Sequence, residues 1–340
     1  MGDAKKGNEG MSDATELSET KRALLEKYLQ GELPQAGMIA HTLTRHTKES
    51  PVLSSLTDSR ISLVPIQTGG ARRPFFYLHV HWQGGAFYCF PLAHDLGSDR
   101  PFYVVDPYKF DGLPVPPTIE AMAAAYLESI RTVQPEGPYL LGGFCGGGLI
   151  AYEIAQQVRA QGQAVDKLVL IDPMAGSIQL IRLIGGLFRC IGGIIQLGPG
   201  KQLDWFLRLR YVSRILRRAR DENSEHVDRL LRSWLDKNPW RFPLIPAAEA
   251  LRQDWMGIFI WAVSGYIPRQ YLGRVAYFFA GERPAKRSMW WGEVTESEKV
   301  EVHVIPGTHE TCRTLYLHDL AEQLRICLGS EEYVMNGLTK

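Results

Sequence analysis

Leu141-Gly142-Gly143-Phe144-Cys145-Gly146-Gly147-Gly148 joins a short apolar run, Tyr139-Leu140-Leu141, to a segment from Leu149 to Val158 with helical spacing. The stretch fits G-x-C-x-G, and the change of period across it predicts a strand, a tight turn and a helix in that order. So sharp a turn forces its central residue into a strained backbone, and Gly143 and Gly147 leave room for neighbouring segments to come close. Cys145 then stands at the positive end of the following helix, which stabilises both a thiolate and a developing oxyanion. The competing reading is a buried structural cysteine in a glycine-rich turn. The strand before the turn and the helix after it favour a nucleophile.

Strands alternate with helices on both sides of this turn. Ile61 to Ile66 and Phe75 to Val80 are β-rich runs split by Thr68-Gly69-Gly70, and Phe102 to Val105 is a third. Ile119 to Val133 has helical spacing, and Lys167 to Ile171 is the apolar run of a central parallel strand. From Pro173 to about Arg269 the residues are mostly helical without a strand signal; strands resume at Arg274 to Ala280 and Val300 to Ile305, before a last helix from Leu315 to Leu328. This order predicts an α/β fold, a mostly parallel doubly wound sheet, with a helical lid of about residues 174–269 inserted over its carboxyl edge. The domain spans residues 61–330, followed by a tail, 331–340. Residues 1–60 read as a polar arm with one short helical signal, capped by Ser18 and carrying Leu24, Leu25, Tyr28 and Leu29.

Composition excludes several alternatives. With 38 Lys+Arg against 37 Asp+Glu the net charge is +1, so no bulk electrostatic footprint for nucleic acid exists. Ile178 to Leu197 is the longest apolar stretch, but Arg182, Arg189 and two Gly-Gly pairs make it a poor membrane span, and no membrane partner is expected. The polar N-terminus lacks the apolar core of a signal peptide. Five cysteines, Cys89, Cys145, Cys190, Cys312 and Cys327, are widely spread and never paired as C-x-x-C, which argues against a disulfide framework or a metal site. A reducing cytoplasm is the expected setting.

In the α/β-hydrolase fold the chain order runs nucleophile, acid, histidine. Asp172 closes the strand ending at Ile171, and His309 follows the strand ending at Ile305, so both are expected at the same sheet edge as Cys145. The other histidines precede the turn or lie within a strand, the lid or the last helix. Glu282, in Ala280-Gly281-Glu282, competes with Asp172 for the acid's role, and Asp172 is preferred. An oxyanion hole needs two backbone donors: Gly146 N–H follows the nucleophile, and Gln83 N–H, in His81-Trp82-Gln83-Gly84-Gly85, is the candidate second.

These residues carry a resemblance. Leu63-Val64-Pro65-Ile66-Gln67, Pro74 to His81, Gly84-Gly85, the cysteine turn, Leu170-Ile171-Asp172, Tyr266 to Val275 and Gly307-Thr308-His309 together resemble the thioesterase family of nonribosomal peptide and polyketide synthesis, over about residues 61–328. The resemblance implies acyl or aminoacyl thioesters as substrates, presented on the phosphopantetheine arm of an acyl or peptidyl carrier protein, with no cofactor of the enzyme's own. It also implies an acid after the strand that follows the turn, which supports Asp172. Two residues depart from the family pattern: Cys145 stands where most members have Ser, and Trp82 where Pro is usual. Members with Cys are thioesterases or transferases that shuttle acyl groups between carriers, and a catalytically silent carrier-binding module is the third reading. Residues 1–60 show no carrier domain, so the substrate is expected on a separate protein. In the lid, Ile181, Ile184, Leu187, Phe188, Ile191 and Ile195 recur at helical spacing and are expected to line an acyl pocket or pack the lid onto the core. The basic stretch from Arg208 to Arg220 is a solvated face or a docking surface for an acidic carrier.

Overall fold

The computed structural model describes residues 60–79, 89–174, 178–221, 246–281 and 300–329. The chain divides into two compact units, Met1–Leu56 and Thr57–Lys340. The first, with the helix expected after Ser18, lies outside the described residues, as does the tail after 330.

Seven strands form one sheet: β1 (Leu63–Gln67), β2 (Phe75–Leu78), β3 (Phe102–Val105), β4 (Tyr139–Phe144), β5 (Val165–Ile171), β6 (Val275–Ala280) and β7 (Val300–Ile305). They lie in the order β1-β3-β2-β4-β5-β6-β7, and only β1 runs antiparallel to its neighbour. Pro65 is tolerated in β1 because that strand is an edge. The central strands are buried on both faces, which is why they read as continuous apolar runs. Their side chains still alternate. Leu141, Leu168, Leu170, Tyr277 and Phe279 enter one core. Leu140, Val169, Ile171, Ala276 and Phe278 enter the other.

Helices cover both faces. α1 (Cys89–Leu96) and the last helix, α8 (Leu317–Gly329), close the second core. α2 (Ile119–Arg131), capped by Thr118 Oγ1 accepting from Ala121 N–H at 3.2 Å, packs with α3 (Gly146–Ala160) on the first. Between β5 and β6 every described element is helical: α4 (Ile178–Ile194), α5 (Pro199–Asp221), the single turn α6 (Ala248–Leu251) and α7 (Trp255–Val263). Asp254 caps α7 by accepting from Gly257 N–H at 3.1 Å. α7 anchors the block, with Trp255 donating to the Tyr108 carbonyl at 2.7 Å and Trp261 packed 5.2 Å from the Phe206 ring.

The lid helix α4 differs from expectation. Ile181, Ile184 and Phe188 pack half-buried against the core, but Leu187, Ile191 and, just past the helix, Ile195 are exposed and do not pack the lid onto the core. The helix buries Ile178, Gly185 and Gly192, where two glycines let it approach Ser264 and Gln202 closely.

Candidate active site

Strand register sets the site. Phe144 pairs with Ile171, Ile171 with Phe278, and Ala280 with Ile305, so the strands end at one level on the carboxyl edge. The next residues on β4 and β5 are Cys145 and Asp172, while His309 stands four residues beyond β7.

Cys145 has φ 54° and ψ −120°, a region that costs a non-glycine residue about 1–3 kcal/mol. The surroundings over-determine it. Its N–H donates to the Ile171 carbonyl at 2.9 Å, tying the turn to the neighbouring strand. A Cβ on Gly143 would stand 2.4 Å from the Gly147 carbonyl carbon, and one on Gly147 would stand 2.3 Å from the Leu78 carbonyl oxygen. Both glycines are therefore required by close approach of backbone to backbone. α3 begins at Gly146 with Cys145 as its cap, so the Gly146 N–H is among the donors that no helical carbonyl satisfies. Gln83 lies outside the described residues, as does Glu282.

Asp172 is the second strained residue, with φ 38° and only 3% of its surface exposed. Its N–H donates to the Phe278 carbonyl at 2.7 Å, and its Oδ1 accepts from Ala280 N–H at 3.3 Å. Oδ2 lies 2.5 Å from His309 Nδ1. That bond leaves the other ring nitrogen of His309 available to Cys145, whose proximity helps raise the imidazole's pKa. Burial disfavours the charged imidazole, but the hydrogen bond to Asp172 and the nearness of Cys145 outweigh it, and the pKa is carried up to about 9. The structure thus brings Asp172 and His309 into a direct hydrogen bond at the sheet edge that carries the half-exposed Cys145.

The loop that delivers His309 is held locally. Gly307 has φ 90°, and a Cβ there would meet Thr311 Oγ1 at 2.4 Å and the Tyr316 ring at 2.5 Å. Thr308 N–H donates to Thr311 Oγ1 at 2.6 Å. Cys312 donates its thiol to the His309 carbonyl at 3.4 Å. Burial, with the Asp172 charge nearby, pushes that thiol up to about 12 and keeps it protonated. Phe144 stacks on the His309 ring at 4.6 Å, and the Arg313 guanidinium lies 5.2 Å from the Phe144 ring. Phe144 lay within the motif but as its free position, and nothing in the sequence pointed to Arg313 or Cys312. A narrow cleft lined by Leu78, His79, Tyr126, Gly147, Ile150 and Trp255 runs beside the turn, between the sheet and α7.

The remaining described histidines stand elsewhere. His79 is buried 3.2 Å from Asp106, His303 stacks on Phe278, and His94 and His318 are exposed near Asp95.

Comparison with known proteins agrees with this architecture. Residues 78–179 match the thioesterase domain family. The chain is 42% identical over 112 residues to polyketide synthase PksR of Bacillus subtilis (strain 168). It is 38% identical over 112 residues to a dimodular nonribosomal peptide synthase of the same organism. Each alignment takes in 32% of this chain but only 4% and 5% of the respective relative, so the chain spans a small fraction of the curated relatives it matches. Among solved structures, the NocB thioesterase domain from the nocardicin cluster aligns over 80% of this chain and 100% of its own, at 25% identity and a TM-score of 0.50. The sheet order, the strand-to-helix turn and the structural likeness are those of an α/β-hydrolase fold, and the chain's segment 78–179 is similar to thioesterase domains. Its likeness is to the thioesterases of nonribosomal peptide and polyketide synthesis.

Proposed function

We propose that the protein transfers acyl or aminoacyl groups from carrier-protein thioesters in nonribosomal peptide or polyketide synthesis, through an acyl-cysteine on Cys145. The observation that carries this reading is the hydrogen bond of His309 to Asp172 at the sheet edge where Cys145 occupies a strained strand-to-helix turn. His309 takes the thiol proton, Asp172 holds the imidazole in one tautomer, and the thiolate attacks the thioester carbonyl. The Gly146 N–H, with Gln83 N–H as the second donor, stabilises the tetrahedral oxyanion, whose collapse expels the pantetheine thiol. The phosphopantetheine arm belongs to the partner, so the enzyme needs no cofactor of its own.

Sulfur at Cys145 favours a shuttle to a second carrier over disposal to water. Exchange of one thioester for another is nearly isoenergetic, whereas a serine would convert a thioester into a less activated oxyester. Release by water, an amine or a hydroxyl remains chemically open to the same intermediate.

Cys145→Ser tests the point with one protein pair and two acceptors. The variant is expected to load the acyl group, to lose transfer to a thiol acceptor, and to lose less of its hydrolysis. An equal fall in loaded second carrier and in free acid would mean that sulfur serves only as the stronger nucleophile.

A further inference from the structure

The acyl chemistry at Cys145 leaves one large feature of the lid without a use. On α4, Leu180, Leu183, Leu187, Ile191 and Ile194 fall on one helical face, each between 49% and 76% exposed. The opposite face supplies what the helix buries. α5 repeats the pattern with Trp205 and Leu209, and the Phe188 and Phe206 rings, 6.0 Å apart, join the two helices. A row of five large aliphatic side chains exceeds the scattered apolar residues of an ordinary surface and marks a binding face.

Charge identifies the occupant. Between Asp172 and Asp221 the sequence has nine Lys and Arg residues and one carboxylate, Asp204, which Arg252 holds at 2.7 Å. Arg210 and Arg214 are spent on Asp254 at 3.0 and 3.4 Å, Lys201 and Arg217 are exposed along α5, and the Arg208 guanidinium lies 5.6 Å from the Trp205 ring. A second copy of the chain would bring these cations against their own kind across a two-fold interface. An anionic bilayer complements both features, since aliphatic side chains and Trp suit the acyl boundary and Lys and Arg suit headgroup phosphates. No described helix is long and apolar enough to cross a membrane, so the surface would lie in the interface plane. The lack of a span in the described helices excludes their crossing a bilayer but not surface binding.

We infer that α4 and α5 seat the protein on an anionic lipid surface, with the α4 stripe entering the acyl boundary and the α5 cations meeting the headgroups. The inference is independent of what Cys145 transfers. Co-sedimentation of the full chain with phosphatidylglycerol-containing vesicles and with pure phosphatidylcholine vesicles tests it. Binding is expected to the anionic vesicles and to weaken with salt. Leu183→Glu with Ile194→Glu is expected to lower partitioning about tenfold or more. Lys201→Glu with Arg217→Glu is expected to reduce binding to anionic vesicles only. Both variants should keep the parent circular dichroism and turnover of a soluble thioester. Three results would overturn the proposal: no vesicle binding by the parent chain, binding indifferent to the leucine and isoleucine exchanges, or a parent dimer that the apolar exchanges convert to monomer. Loss of capture by an acidic carrier in the apolar variant, without vesicle binding by the parent, would reassign the face to a protein and overturn it too.

Discussion

The sheet carries a cysteine, a basic side chain and a carboxylate at each of its two ends. At the carboxyl edge these are Cys145, His309 and Asp172; toward the amino edge they are Cys327, Lys167 and Glu301. The second group is also close, with Lys167 Nζ 3.0 Å from Glu301 Oε1 and 3.7 Å from Cys327 Sγ. Placement separates them. Cys327 sits on the regular helix α8, 2% exposed, and burial pushes its thiol up to about 12 against the pull of the Lys167 charge. Lys167 is itself buried and spends its protons on Glu301 and the Cys327 carbonyl. Cys145 stands instead on a strained turn at a helix N-terminus, beside an imidazole that can both take and return a proton. Residue types alone do not make a reactive thiol; backbone strain, partial exposure and a base of suitable pKa do.

Paired exchanges separate the two groups most sharply. Cys145→Ala is expected to lower turnover of an acyl-carrier substrate by at least ~10³, because the nucleophile and its base act as a unit. Cys327→Ala should leave turnover within about twofold and cost about 1 kcal/mol of stability from the lost packing. Comparable losses of turnover in the two variants would erase the distinction. Asp172→Asn comes next, with a loss of about 10² in turnover, since only a carboxylate holds the His309 tautomer and balances its charge. Glu282→Gln should cost less, and the reverse order would transfer the acid's role to Glu282.

The smallest effect is on stability. The pKa of His309 rises from 6.5 to about 9 on folding, so the charged imidazole stabilises the native state fully below about pH 6.5. That contribution fades as pH rises through about 9. Thermal melts of the parent and His309→Gln should therefore differ most near pH 6 and converge toward pH 9.5. A difference constant across that range would mean that His309 is not charged in the fold.

Much of this architecture was legible because central parallel strands announce themselves. Phe102–Val105 has the bounds its apolar run suggests, Val300–Ile305 those of an alternating edge strand, and the requirement for Gly143 and Gly147 follows from the sharpness of the turn. Other features left weaker traces. α1 went unread because it is only eight residues long and carries Pro91, tolerated there because first-turn N–H groups have no helical partner. The helical period of α4 was plain, but a period reports that a stripe exists and not whether protein or solvent meets it. The positive φ of Asp172 had no glycine to signal it, and the Phe144 and Arg313 contacts depend on a loop approaching from the far end of the chain.

Cys145 alone among the thiols is expected to carry the acyl group. The direct measurement is intact mass and peptide mapping of the full chain, acid-quenched after exposure to an acyl-loaded carrier protein. The account predicts one acyl increment on the peptide containing Cys145, absent in Cys145→Ala and retained in Cys327→Ala. Turnover without any acylated protein, or an increment mapped to Cys312 or Cys327, would contradict it.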